Sequence, residues 1–393
     1  MALPLDDLEA TFSLATNAIH RDDRYAGPDV APAMHPSTTF RYSCNPEELR
    51  PQETLSKTDM VYARLARPTG SRLEHVLTTL LKGDALVYST GLSAIHAYLV
   101  RLAPKRVAIG GGYHGTHAVL DIHHRLVGTQ KLGLDGTDKL EAGDVIHLET
   151  PLNPTGEARN IAAYSKIAKE KGLYLVVDST FGPPALQDPF KWGADIVIHS
   201  GTKYIGGHSD IMCGILATQR EDLYMGLWED RCALGNLLGG FESWLGLRSL
   251  RTLDIRCRRQ SDNCTALVEW MAEMMNDSEP NPVNQTVQKL THSCLQENDM
   301  EWLRQQMPNG FGPVFGMIMK KDEFAQWLPS KLRVFQHATS LGGVESLIEW
   351  RRMSDHAEKG NVLRISVGIE TFDDLKSDLL NGFRALMEEG FAN

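Results

Sequence analysis

Four short segments carry residues that could do chemistry, and each follows an apolar run of strand length. Asp178 closes the run Leu173–Val177 and precedes Ser179-Thr-Phe181. Lys203 lies just past the run Asp195–His199, within Ser200-Gly-Thr-Lys-Tyr-Ile-Gly-Gly-His-Ser-Asp210. Ser89-Thr-Gly-Leu-Ser93 follows Ala85–Tyr88, and Glu149-Thr-Pro-Leu-Asn-Pro-Thr-Gly156 follows Val145–Leu148. An acid ending one strand and a lysine just past the next suit an aromatic nitrogen heterocycle that carries an aldehyde. The lysine amine condenses with the aldehyde, and the carboxylate keeps the ring nitrogen protonated so that the ring accepts electrons. The hydroxyls of Ser200 and Thr202, with the backbone amides of Gly91 and Leu92, could hold a phosphate on the same ligand.

These residues need a scaffold that brings strand ends together. Further apolar runs, Arg106–Ile109 and Ile211–Ala217, alternate with helix-length segments such as Ser71–Lys82, Gly91–Val100 and Ile161–Lys171. Strands apolar throughout, alternating with helices, indicate an α/β fold with a mostly parallel sheet covered on both faces. Ligands in such sheets bind where strand C-termini meet helix N-termini, which is where the four segments fall. Prolines 28, 32, 36, 46 and 51 make residues 1–61 an extended N-terminal arm, expected to contact a neighbouring subunit. Residues 62–250 form the cofactor-binding α/β domain, and 251–393 a smaller α+β C-terminal domain. The latter starts with a helix over Arg251–Met275, in which Arg256, Arg258 and Arg259 are expected on a solvated face. A linker over Asn276–Asn284, strands at Pro313–Met319 and Val362–Val367 and an amphipathic helix over Phe372–Glu389 complete it. The ligand that combines ring nitrogen, aldehyde and phosphate is pyridoxal 5′-phosphate.

Composition agrees with a small-molecule enzyme. The 393 residues are 42% hydrophobic and 23% charged, ordinary for globular domains. The 40 Lys and Arg against 50 Asp and Glu give a net charge of −10, opposite to the basic surplus of nucleic-acid binders. Six cysteines are scattered without a CxxC pair, so neither a disulfide framework nor a metal site is expected. No apolar stretch approaches the roughly 20 residues that span a bilayer. The acidic segment Met1–Glu9 does not read as a signal peptide, and the expected location is cytoplasmic.

From Ile19-His20 and Pro36-Ser-Thr-Thr-Phe40 to Leu363-Arg-Ile-Ser-Val-Gly-Ile-Glu370, the chain resembles the Cys/Met-metabolism family of pyridoxal-phosphate enzymes. The segment Ala194–Asp210 is the most specific part of that match. The resemblance implies an aspartate aminotransferase-like fold, fold type I. It also implies that Lys203 is the Schiff-base lysine, Asp178 pairs with the pyridine nitrogen, Tyr113 stacks on the ring and assists as an acid, and Asn153 sits near the ring oxygen. Tyr62 and Arg64 would reach the cofactor phosphate of a neighbouring subunit, in homodimer pairs and commonly a homotetramer. Ser340 and Arg364 match the family's substrate-carboxylate site.

Three departures bear on the reaction. The glutamate that synthase and lyase relatives carry just before Ser340 is here Thr339, which disfavours a co-substrate with a buried ammonium group. The family's His-Pro-Ala-x-Met-Thr-His stretch is replaced by Trp350-Arg-Arg-Met-Ser-Asp-His356. Arg351 and Arg352 are expected in a solvated loop, with contact to an anionic co-substrate as the alternative. Gly115 stands where methionine γ-lyases tend to carry a cysteine. The expected reaction is therefore γ-replacement on an O-acyl-L-homoserine through a vinylglycine-type intermediate. A thiol, sulfide or β-keto acid enolate would be the nucleophile. Cystathionine γ-synthase or γ-lyase activity is the alternative.

Overall fold

The computed structural model describes residues 12–25, 27–49 and 57–389; the Met1–Glu9 segment and Pro51 of the expected arm lie outside them. Seven strands form the larger sheet: β1 (Asp84–Tyr88), β2 (Arg106–Ile109), β3 (Gln130–Leu132), β4 (Val145–Glu149), β5 (Tyr174–Asp178), β6 (Ile196–Ser200) and β7 (Gly214–Thr218). Their order is β1-β7-β6-β5-β4-β2-β3, and every pair is parallel except the two made by β7. Each apolar run predicted as a strand is one, within three residues at either end. The largest shift is at β7, which starts at Gly214 rather than Ile211.

Alternation along the strands explains the layering. Leu86, Val176, Ile196, Ile198 and Leu216 meet helices α3 (Gly91–Leu102), α4 (His114–Val127) and α6 (Glu221–Leu234) on one face. Val87, Val197, Ile215 and Ala217 point the other way, onto α2 (Pro68–Leu81) and α7 (Gly240–Leu250). That second face continues under α5 (Ile161–Lys171) through Ile146, Leu148, Leu175 and Val177. Thr90 starts α3 in extended backbone, its hydroxyl accepting from Ser93 N at 3.0 Å.

The remaining strands, β8 (Val287–Thr291), β9 (Val314–Met319), β10 (Gln336–His337), β11 (Leu347–Trp350) and β12 (Val362–Ser366), form a second sheet of order β10-β11-β12-β9-β8. Helix α8 (Leu253–Asn276) and the C-terminal helix Phe372–Glu388 cover it through Leu267, Met271, Leu375, Leu379 and Phe383. The expected linker is not irregular throughout. Pro282–Thr286 is a short helix, capped by Asn281 Oδ1 accepting from Val283 N and Asn284 N at 3.0 and 2.9 Å. Helix α1 (Leu14–His20) buries Ala18 in the core of its own chain, and Arg72 pairs with Asp22 at 2.5 Å. The following stretch, 27–49, leaves nearly every side chain exposed, with Pro32 and Phe40 the exceptions. Among the described residues all six cysteines are free, no cluster could hold a metal ion, and no helix is long and apolar enough to cross a membrane.

The expectation of a solvated arginine face on α8 fails at Arg256. It is buried, and its guanidinium donates to Tyr204 O at 2.8 Å and Ser249 O at 2.9 Å, tying α8 to the segment just after Lys203. Arg258 and Arg259 are exposed as expected. A one-sequence reading could not see this, because the apolar stripe of α8 leaves its partner undefined. Removing a charged donor that satisfies two buried carbonyls costs about 2–4 kcal/mol. Arg256→Met is therefore expected to lower the unfolding free energy by about that amount in a denaturant titration. A change below about 0.5 kcal/mol would contradict the role given to Arg256.

Candidate active site

The C-terminal ends of β4, β5 and β6, the N-terminus of α3 and the segment before β11 enclose a cavity of about 490 Å³. Lys203, Asp178, Asn153, Tyr113, Gly91, Leu92, Ser200, Thr202, Thr339, Ser340 and Arg364 all line it. Sequence reasoning thus brought together residues more than 250 positions apart. Tyr62 and Arg64 do not border it. Tyr62 is exposed and bridges Thr39, while Arg64 donates to Cys232 O at 2.7 Å.

Asp178 sits at the end of β5 directly beside Glu149 at the end of β4, the two being Cα partners in the parallel ladder. Asp178 Oδ1 accepts from Thr180 N at 3.0 Å and Thr180 Oγ1 at 2.6 Å, and Ser200 N in turn donates to Thr180 Oγ1 at 2.9 Å. Glu149 accepts from Tyr113 N at 2.8 Å and Asn153 N at 2.7 Å. Burial pushes both carboxyls up, and the charge of Asp178 pushes Glu149 further, because two buried acids side by side cannot both ionise cheaply. Glu149 holds the segments that carry Tyr113 and Asn153. In the sequence Glu149 stands only as the first residue of its motif; its place at the end of an apolar run, like that of Asp178, is the one signal, and the register that sets the two side by side shows only in the structure.

Lys203 follows β6. Its Nζ donates to Ser340 Oγ at 2.5 Å. Burial, then the nearby charge of Arg364, pulls its amine down to about 8. Ser340 adopts a left-handed backbone (φ 75°), as does Gly342 (φ 85°). A Cβ on Gly342 would stand 2.9 Å from Lys203 C and Tyr204 N, so only glycine lets this turn lie on the lysine backbone. Arg364, on β12 and 5% exposed, donates to Asn153 Oδ1 at 3.0 Å and Ser340 O at 2.8 Å, and pairs with Glu349 at 2.5 Å.

Tyr113 precedes α4 and is 39% exposed at the cavity rim, its ring 5.0 Å from that of His114. A Cβ on Gly115 would stand 2.5 Å from the Tyr113 ring, so a cysteine here would displace that ring. Ser200 packs on the start of α3, where a Cβ on Gly91 would lie 3.3 Å from its Cβ. The Gly91 and Leu92 amides open that helix and have no acceptor within it. The expected solvated loop at 351–352 is corrected in part. Arg352 is exposed, but Arg351 is 4% exposed, lines the cavity and pairs with Glu349 at 2.7 Å.

A phosphate fits the α3 terminus with Ser200 and Thr202 beside it, a protonated ring nitrogen fits Asp178, and an aldehyde fits Lys203. The donor set therefore suits pyridoxal 5′-phosphate, with Tyr113 alongside. Lys203 offers a titration that checks its environment. In apoprotein, the Lys203 amine is expected to titrate near pH 8 rather than at the ordinary lysine value near 10.4. Arg364→Met should raise that midpoint by removing a like charge. A midpoint near 10 in the unsubstituted chain, followed by NMR of labelled lysine, would refute this.

A sequence model of the family described as "Cys/Met metabolism PLP-dependent enzyme" matches residues 15–384. Cystathionine gamma-synthase of Escherichia coli is 32% identical, the match covering 96% of this chain and 98% of the relative. Cystathionine gamma-lyase of Bacillus subtilis is 32% identical over 82% of this chain and 88% of its own length. Among solved structures, cystathionine gamma synthase of Xanthomonas oryzae in complex with aminoacrylate and cysteine superposes with a TM-score of 0.85. It is 28% identical and covers 96% of this chain and all of the other.

Proposed function

The chain belongs to the Cys/Met-metabolism family of pyridoxal-phosphate-dependent enzymes, and from that premise we propose that it exchanges the group on Cγ of an O-acyl-L-homoserine for a small nucleophile. The observation that carries this reading is the meeting of Lys203 Nζ with Ser340 Oγ at 2.5 Å, beside the buried Arg364 and in the cavity that Asp178 also lines. When bound, pyridoxal 5′-phosphate supplies an electron sink for the pairs released as C–H bonds at Cα and Cβ ionise.

The chain's own residues do the rest. Asp178 pairs with the ring nitrogen, whose positive charge holds the carboxyl ionised against its burial. Arg364, with Asn153 beside it, takes the substrate α-carboxylate in its planar fork. That fixes Cα near Lys203, whose amine near 8 is partly free at neutral pH and can accept a proton. Ser340 Oγ accepts a hydrogen bond from the same nitrogen and aims it. Tyr113, at the rim, delivers a proton to the departing oxygen.

Two readings of the nucleophile divide on Thr339. It lines the cavity without a carboxylate, and Oε2 of the nearby Glu349 is already engaged by Arg351 and Arg364. This favours a nucleophile without an ammonium group: a thiol, sulfide or β-keto acid enolate. The names of the relatives favour the other reading, cystathionine γ-synthase or γ-lyase chemistry, with cysteine as partner or with elimination. Incubating holoenzyme with O-acetyl-L-homoserine and each nucleophile, and weighing the products, separates them. A substituted amino acid is expected; release of 2-oxobutanoate alone under every condition would contradict replacement.

The proposal extends to the assembly. The reading keeps an arm (1–61) that contacts a neighbouring subunit, a cofactor domain (62–250) that holds the seven-stranded sheet and a C-terminal domain (251–393) that holds the five-stranded one. Tyr62 and Arg64, lying away from their own cavity, serve a neighbour's phosphate in a homodimer or homotetramer. Mixed and reassembled Lys203→Ala and Arg64→Ala proteins, each inactive alone, are then expected to regain activity. No recovery above the parents would exclude action across subunits.

A further inference from the structure

Arg351 is a buried cation of the cavity lining that the proposed reaction leaves unused. Both of its hydrogen bonds leave from Nη1, to Glu349 Oε2 at 2.7 Å and Ser354 Oγ at 3.0 Å. Its Nε is buried with no hydrogen-bond partner. Glu349 meets Arg364 through the same oxygen, Oε2, at 2.5 Å, and its Oε1 is buried and unpartnered. One carboxylate oxygen therefore serves two guanidinium groups, and neither fork is filled in the planar, two-pronged way that arginine favours. The pairing leaves a surplus positive charge at this end of the cavity, increased when Lys203 is protonated. A buried charged donor with an open edge calls for an acceptor that the chain itself does not supply.

We propose that Arg351 forms a second anion subsite beside that of Arg364, so that one partner of the exchange carries a carboxylate in addition to the substrate α-carboxylate. This rests on the γ-replacement reading only for the identity of that partner; the subsite itself is a property of the cavity. The carboxylate has two possible sources, the leaving acyl group of the donor or the incoming nucleophile. Thr339 agrees with either, since it adds no negative charge to repel an anion.

Calorimetric titration of holoenzyme with glutarate and with butyrate tests the subsite without turnover. Glutarate is expected to bind at least about tenfold more tightly than butyrate. The gap should fall below about twofold in Arg351→Met and Arg351→Gln and return in part in Arg351→Lys, which a purely structural role for Arg351 would not produce. Equal binding of the two probes by the unsubstituted enzyme, or a gap that survives either neutral substitution, would overturn the proposal. Using two neutral variants guards against one failing to fold.

Two kinetic arms then assign the source. One compares O-succinyl- with O-acetyl-L-homoserine at fixed 2-mercaptoethanol; the other compares mercaptoacetate with 2-mercaptoethanol at fixed O-acetyl-L-homoserine. A preference in kcat/KM for the carboxylate-bearing member, lost in Arg351→Met, marks the source. Turnover with no such preference in either arm would overturn the proposal. No turnover of any pair, with the binding gap intact, contradicts the γ-replacement reading and leaves the subsite standing.

Discussion

The site depends on the packing of the Ser340–Gly343 turn against the backbone of Lys203. That contact joins a segment between strands of the smaller sheet to the loop leaving β6 of the larger one. Gly342 permits it, since any Cβ there would meet Lys203 C at 2.9 Å. Gln260 from α8 donates to Gly343 O at 2.5 Å, Val344 N donates to Gly207 O at 3.1 Å, and Arg364 holds Ser340 O at 2.8 Å. With the turn so fixed, Ser340 Oγ reaches Lys203 Nζ and the cavity closes between two sheets whose cores are distinct except at Val314 of β9, which packs with the larger sheet.

Charge within that cavity is sorted by burial. At the strand ends, Asp178 and Glu149 raise each other's cost of ionising, so the pair is primed to meet a cation such as a protonated ring nitrogen. Elsewhere in the lining, Arg364 and Arg351 share one carboxylate, and burial with the charge of Arg364 pulls the Lys203 amine down to about 8. One part of the lining awaits a positive group and the other awaits negative ones. An amino acid joined to an electron-accepting ring presents both.

Much of this was legible in the chain. The strand runs and Asp178, Lys203, Ser200 and Thr202 follow from apolar periodicity and from the rule that ligands gather at strand ends. Ser340 and Arg364 were placed only through resemblance, because nothing in local periodicity brings residues so distant in sequence to one lysine. The burial of Arg256 and Arg351 is not legible in the sequence, for one physical reason. Arginine is usually solvated, and its burial depends on a partner carbonyl or carboxylate that arrives from another element. Glu149 was overlooked because its importance comes from strand register, which a single sequence does not display.

The central claim is that Lys203 carries the cofactor. Borohydride reduction of holo-protein, proteolysis and mass mapping test it directly. The reduced pyridoxyl mass is expected on the peptide containing Lys203 and on no other. The same mass on a different lysine, or no lysine modified in protein that retains visible colour, would contradict it.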